Sequence, residues 1–254
     1  MTTISLAPNA PSRRLLATES KLFLREPLAL FWGILFPLIL IVALGVGSAH
    51  AKPDPKLGGL RVVDVYVPIV MAMVLTVLSL SALPATLATY REKGILRRMS
   101  TTPVRPSLLL GADVTVMVSV IVIALALIAG VGSIAFNVSL PRQPVPFVIT
   151  LALAATAMLA LGALIASLAT TPRIAGAIGT LVFFPMMFFA GLWVPQALMP
   201  ATLRHISDYT PLGAAVAAIQ QTMRDQWPSA GHLVVLAVYA AVLALAATRL
   251  FRWE

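Results

Sequence analysis

Residues Val114–Pro141, VTVMVSVIVIALALIAGVGSIAFNVSLP, run for 28 positions without one ionisable side chain. As a helix rising about 1.5 Å per residue this stretch exceeds 40 Å, more than the roughly 30 Å hydrocarbon thickness of a bilayer. A soluble protein has no interior that could cover it on every side. An ionisable group at the bilayer centre costs at least a few kcal/mol, so the absence of charge is the simplest spanning signal.

Five further stretches have the same character: Pro27–Ala49, Val65–Tyr90, Gln143–Pro172, Ile174–Leu203 and Gln226–Thr248. The shortest has 23 residues, or roughly 35 Å as a helix. A seventh, Tyr209–Met223, is only 15 residues long and contains Pro211, which suits a re-entrant or interfacial helix. Six spans are therefore expected, forming an all-α membrane protein. Composition agrees: of 254 residues 59% are hydrophobic and 11% charged, with a mean hydropathy of +0.96.

Cysteine is absent, which excludes disulfides and thiolate metal sites. A net charge of +9 could point to nucleic acid, but the basic residues flank apolar segments rather than forming a stripe. Their distribution orients the chain. Arg13, Arg14, Lys21, Arg25, Arg91, Lys93, Arg97, Arg98, Arg105, Arg173, Arg249 and Arg252 fall on one side. Lys52, Lys56, Arg61, Arg142, Arg204 and Arg224 fall on the other. The positive-inside rule then places both termini in the cytoplasm of a bacterial plasma membrane. Arg13 and Arg14, an apolar run and Ala49-His50-Ala51 imitate a signal peptide, but the basic region is too deep and the run too long.

Ahead of the first span, Ser12–Glu26 reads as a helix lying on the membrane surface. Arg14, Lys21 and Arg25 share one side, within about 40° of one another; Leu15, Leu16, Leu22 and Phe23 share the other. Glu19 and Glu26 intrude on the apolar side, either facing protein or snorkelling at the interface. The expected organisation is a cytoplasmic segment 1–26, a six-span domain 27–250 and a cytoplasmic tail 251–254. Pro37, Pro84 and Pro185 lie inside spans and should kink them.

Chemistry-bearing patterns are sparse. There is no G-x-x-x-x-G-K-[ST] phosphate loop, so the chain is not expected to bind or hydrolyse nucleotide itself. His50, His205 and His232 are too scattered for a metal site. His205 and Asp208 could share a helical turn, yet an acid/base pair without a nucleophile does not make a catalyst. Asn137-Val138-Ser139 matches a glycosylation acceptor, a pattern short enough to recur by chance. No acidic residue lies at a midplane position where an ion-coupled carrier would hold one, Asp113 being nearest at the start of the third span.

Two segments between spans stand out. Arg91–Met99 is dense in charge with Gly94 able to break a helix, and Pro103 and Pro106 stop helix formation beyond it. Such a segment could dock into a soluble partner or serve as an ordinary positive-inside loop. Between spans five and six, Gly191, Trp193, Pro195, Tyr209 and Pro211 suggest short helices dipping into the outer leaflet. Non-helical backbone at that depth must be covered by protein or line a water-filled space.

Three stretches together resemble the ABC transporter type-2 permease family, in its bacterial drug-exporter branch typified by daunorubicin permeases. The first is Leu22-Phe23-Leu24-Arg25-Glu26-Pro27 with Phe36-Pro37. The second is Arg91-Glu92-Lys93-Gly94-Ile95-Leu96-Arg97-Arg98-Met99 with Thr102-Pro103, similar to the family's E-K-G-T-L-R-R-L…T-P loop, with Ile95 where Thr is common. The third is Phe189-Ala190-Gly191-Leu192-Trp193-Val194-Pro195 with Tyr209-Thr210-Pro211-Leu212. The similarity runs from about Arg13 to Leu250.

That resemblance implies a permease subunit pairing with a second copy, usually an identical one, and with two copies of an ABC ATPase that binds ATP and Mg. No cofactor is implied for this chain. Arg91, Glu92, Lys93, Gly94, Arg97, Arg98 and Met99 are implied to contact the ATPase; Gly191, Trp193, Pro195, Tyr209 and Pro211 to form an extracellular gate. Spans one, two and five are implied to line the path, which brings in Phe36, Leu80 and Phe188 by region. The substrate expected is lipophilic or amphipathic, with efflux of drugs and antibiotic resistance as the role. Membrane lipids are the surroundings; nucleic acid is not expected as a partner. A glycan exporter is the alternative within the family, weakened by only 7% aromatic residues. A non-transporting assembly subunit is the alternative outside it.

Overall fold

A computed structural model describes residues 10–48, 51–95, 98 and 106–250. Arg97, Met99, Thr102, Pro103, Arg105 and His50 lie outside the described residues, as do residues 251–254.

The described residues form helices and the loops that join them, with one isolated bridge between Asp54 and Leu60. In order, the helices are α1 (Ala10–Phe23), α2 (Pro27–Ser48), α3 (Val62–Glu92), α4 (Pro106–Phe136), α5 (Pro144–Leu168), α6 (Pro172–Ala190), α7 (Ala201–Tyr209), α8 (Pro211–Met223) and α9 (Ala230–Leu250). Six of them are long and apolar enough to cross a membrane: α2, α3, α4, α5, α6 and α9. The six expected spans are present, with corrected ends. The charge-free stretch of the fifth runs to Leu203, but α6 stops at Ala190 because Gly191 turns left-handed (φ 94°) and caps it. Likewise α4 stops at Phe136, where Asn137 takes φ 53°.

Hydrogen bonds fix which helix ends lie together. Arg61 at the start of α3 reaches the Asn137 carbonyl past the end of α4 (3.3 Å). Tyr66 donates to the Leu192 carbonyl beyond α6 (3.1 Å), and the Arg142 amide donates to Asp225 (2.6 Å). At the other end, Arg91 closes α3 onto the end of α5, and Tyr90 reaches α1. This second end carries Lys93, Arg173 and Arg249 and is the basic end.

Helix α3 is the axis of the bundle. In its most apolar window 83% of residues are buried, against 17–39% in the other spans. It contacts α2, α4, α5, α6 and α8. Helices α5 and α9 pack along each other, and α8 wedges between α3, α5, α6 and α9.

Two π turns interrupt the first two spans, Phe31–Leu35 in α2 and Leu78–Ala82 in α3. Each lies two residues ahead of a proline, Pro37 or Pro84. A proline removes one N–H and its ring collides with the carbonyl four residues back, here Gly33 or Leu80, inside the wide turn. Widening the helix relieves the collision, so at these two prolines the disturbance takes the form of a π turn. Around Pro185 α6 is uninterrupted.

The π turn of α3 sits against glycines. A Cβ on Gly162 of α5 would overlap the Ser79 carbonyl, and one on Gly179 of α6 the Leu80 carbonyl. Only glycine permits helix backbones to approach this closely.

Candidate functional site

At the basic end α3 finishes in a left-handed break. Gly94 takes φ 63°, its N–H donates to the Arg91 carbonyl, and Arg98 donates back to the Gly94 carbonyl, so helical hydrogen bonding resumes past the break. Glu92, Lys93 and Arg98 are exposed. Arg91 is turned inward: its Nη1 donates to the carbonyls of Ala166 (3.2 Å) and Ala169 (2.9 Å) at the C-terminus of α5. A cation there satisfies orphan carbonyls and meets the negative end of the helix dipole. Beside it, Tyr90 donates to Glu19 of α1 (2.6 Å). Glu19, left open between protein and interface in the sequence, faces protein and is 5% exposed. Burial raises its pKa and the proximity of Glu26 adds to this, while the Tyr90 bond opposes them.

A cavity of about 560 Å³ lies between α2, α3 and α6. Both π turns border it, through Trp32 and through Leu78, Ser81 and Ala82. Phe36, Phe183 and Phe184 supply aromatic wall, and among the described residues Glu26 is its one charged lining residue. Of the three path residues, Phe36 lines this cavity, whereas Leu80 is fully buried under Gly179. Phe188 is half-buried, edge-on to Phe189, and does not line the cavity. Nothing in the sequence distinguishes Trp32, Leu78, Thr180, Phe183 and Phe184, because a uniformly apolar span carries no signal for which face points inward.

The opposite end is organised by Gln196. Its amide nitrogen lies within hydrogen-bond reach of the carbonyls of Phe189 and Gly213 (both 3.1 Å) and of Ser207 Oγ (2.8 Å). Ser207 in turn donates to the Phe189 carbonyl (2.6 Å). This buried knot joins the end of α6, α7 and the start of α8. Gly191 and Pro195 are buried close by, and Pro211 opens α8, with Thr210 as its cap. Trp193 is exposed and stacks on Phe184 at 6.0 Å; exposed Tyr209 meets His205 edge-on. Asp208 pairs with His232 of α9 (3.4 Å) rather than with His205.

Six spans, a glycine-broken helix end at the basic end and helices α7 and α8 at the other form one ordered set. A family model described as ABC-2 type transporter matches residues 13–223. The chain belongs to the ABC-2 type transporter family. It is a multi-pass membrane protein and the membrane component of an ABC transporter. The match covers α1 to α8 and ends before α9, short of the Leu250 limit read from the sequence. No curated protein matches the chain.

Proposed function

We propose that this ABC-2 chain is the permease half of an exporter for lipophilic or amphipathic compounds, drugs among them, working as a pair of identical copies with a separate ATPase. The observation that carries the reading is the apolar cavity between spans one, two and five. Among its lining residues only Glu26, Ser81, Thr180 and the Trp32 indole bring polar side-chain atoms. A glycan would need hydrogen-bonding partners along its path, whereas a lipophilic body loses nothing on leaving water for such walls.

Energy enters at the basic end, which we place in the cytoplasm of a bacterial cell, with both termini. Glu92, Lys93, Gly94, Arg97, Arg98 and Met99 form the docking segment, and Arg91 anchors it to α5. α1 lies along the inner surface of the membrane. At the outer end α7 and α8 re-enter the membrane as a gate around Gly191, Trp193, Pro195, Tyr209 and Pro211. ATP binding draws the two ATPases together and pushes on both docking segments. The bias toward the outward-open state comes from their different contacts in the two states.

The test is reconstitution of the chain with an ABC ATPase, the first candidate being any encoded by a neighbouring gene. Lipophilic compounds should stimulate ATP hydrolysis, and Thr180→Trp, which narrows the cavity, should weaken the stimulation while leaving the complex intact. An ATPase that neither binds the chain nor changes its hydrolysis rate would sink the reading.

A further inference from the structure

A second cavity, of about 360 Å³, opens at the basic end among α1, α3 and α4. Its wall includes Glu19, Tyr90 and Asp113, each nine-tenths or more buried. Asp113 is 2% exposed, and its Oδ2 has no hydrogen-bond partner among the described residues. An orphaned buried carboxylate oxygen costs free energy unless something supplies positive charge or a donor. Glu19 accepts from Tyr90 and is left with the capacity for further donors.

Among the described residues, the two cations on the wall do not fill this role. Arg25 and Lys93 reach the cavity wall, yet among the described residues no ion pair joins either to Glu19 or Asp113. Both side chains are on exposed residues, where water already solvates them.

We propose that this cavity binds a monovalent ammonium-type cation, with Asp113 and Glu19 as its charge partners. A divalent metal fits poorly, because it wants several hard oxygen ligands and no group of three or more metal-ligating side chains occurs among the described residues. The volume exceeds that of a bare ion many times over, a water occupying about 30 Å³. Leu22, Phe23 and Met117 on the same wall suit the methylenes of an alkylammonium. Glu26 borders both this cavity and the apolar one, so a cationic head here has a lipophilic body's space beside it. A bound cation would also draw α1 onto α3 and α4.

The test is calorimetric titration of the full chain in zwitterionic nanodiscs near neutral pH, with n-butylammonium, potassium, magnesium and, as the neutral analogue, n-butanol. Butylammonium should bind saturably and butanol should not. Loss of a charged partner in Asp113→Asn should weaken binding at least about tenfold. Glu19→Gln, on a different helix, should do the same and serves if Asp113→Asn does not fold. Asp208→Asn, far from the cavity, should change nothing. Potassium binding as tightly as butylammonium overturns the ammonium assignment in favour of a free inorganic ion; weaker potassium binding supports an amine head. Absence of saturable butylammonium binding, preference for magnesium, or unchanged affinity in both cavity variants overturns the proposal. No transport or ATP hydrolysis is read, so failure here is separate from failure of the exporter reading.

Discussion

Gln196 and Ser207 share a buried hydrogen bond of 2.8 Å, and through it one side chain holds the end of α6, the body of α7 and the start of α8 together. Neither residue attracts notice in the sequence, since each is an ordinary polar residue, Gln196 in an otherwise apolar stretch and Ser207 among polar neighbours. Their weight comes from the carbonyls they satisfy, those of Phe189 and Gly213.

Replacing Gln196 with Leu should therefore cost roughly 1–3 kcal/mol, the penalty for stranding buried acceptors. Ser207→Ala should cost less, because the Gln196 amide still reaches the Phe189 carbonyl. Thermal unfolding in nanodiscs checks both, and equal stability of Gln196→Leu and wild type would show that the knot holds nothing.

Glycine substitutions should separate by position rather than by helix. Gly162→Ala and Gly179→Ala force a Cβ into the Ser79 and Leu80 carbonyls and should lower stability by about 1–3 kcal/mol, the usual range for overpacking. Gly176→Ala, with nothing within 4 Å, should be neutral or stabilising through helix propensity. Unfolding midpoints of the three variants decide it.

Stability should fall as pH rises above about 4.5, the ordinary value for Glu19, through its raised folded-state pKa. The sign follows from burial: the folded state holds the proton more tightly than the unfolded one, so its advantage is complete at low pH and lost on deprotonation. Glu26, also raised by burial, contributes in the same direction. Glu19→Gln should flatten the profile, and Tyr90→Phe, which removes the donor favouring the charged form, should shift the loss to higher pH. Unfolding midpoints measured across this range test the sign directly.

At Gly94, the left-handed φ of 63° is strained for any residue with a Cβ, by about 1–2 kcal/mol. Gly94→Val should leave the spans folded, seen as an unchanged helical signal, yet reduce co-purification with the ATPase several-fold. Glu92→Lys should reduce it without touching backbone geometry. Normal complex formation in both variants would remove the docking role from this segment.

Charge-free length read the number of spans correctly because membrane helices must exclude ionisable groups, and Pro27 or Pro144 mark the starts well. It overran α6 by thirteen residues, to Leu203, because Gly191 ends a helix without adding charge. The π turns were visible only as Pro37 and Pro84: a proline announces a disturbance but not its form. Glu19 was legible as an anomaly on an apolar face, and its partner Tyr90, 71 residues away, was not. Nor could the cavity wall be read, since Trp32, Thr180 and Phe184 differ from their span neighbours only in which way they point.

The wide turn at Leu78–Ala82 has a consequence for how this chain tolerates changes of length. A π turn amounts to an α-helix carrying about one surplus residue. Deleting Ser79 would restore ordinary α spacing while the flanking segments, Val62–Val77 and Leu83–Glu92, keep their rotational phase. Deletion elsewhere in α3 would instead swing everything downstream by about 100°. Span two thus has one place where a residue can be lost without turning Tyr90 and Arg91 away from their partners, and the loss would be felt at Gly162 and Gly179, whose facing carbonyls would withdraw.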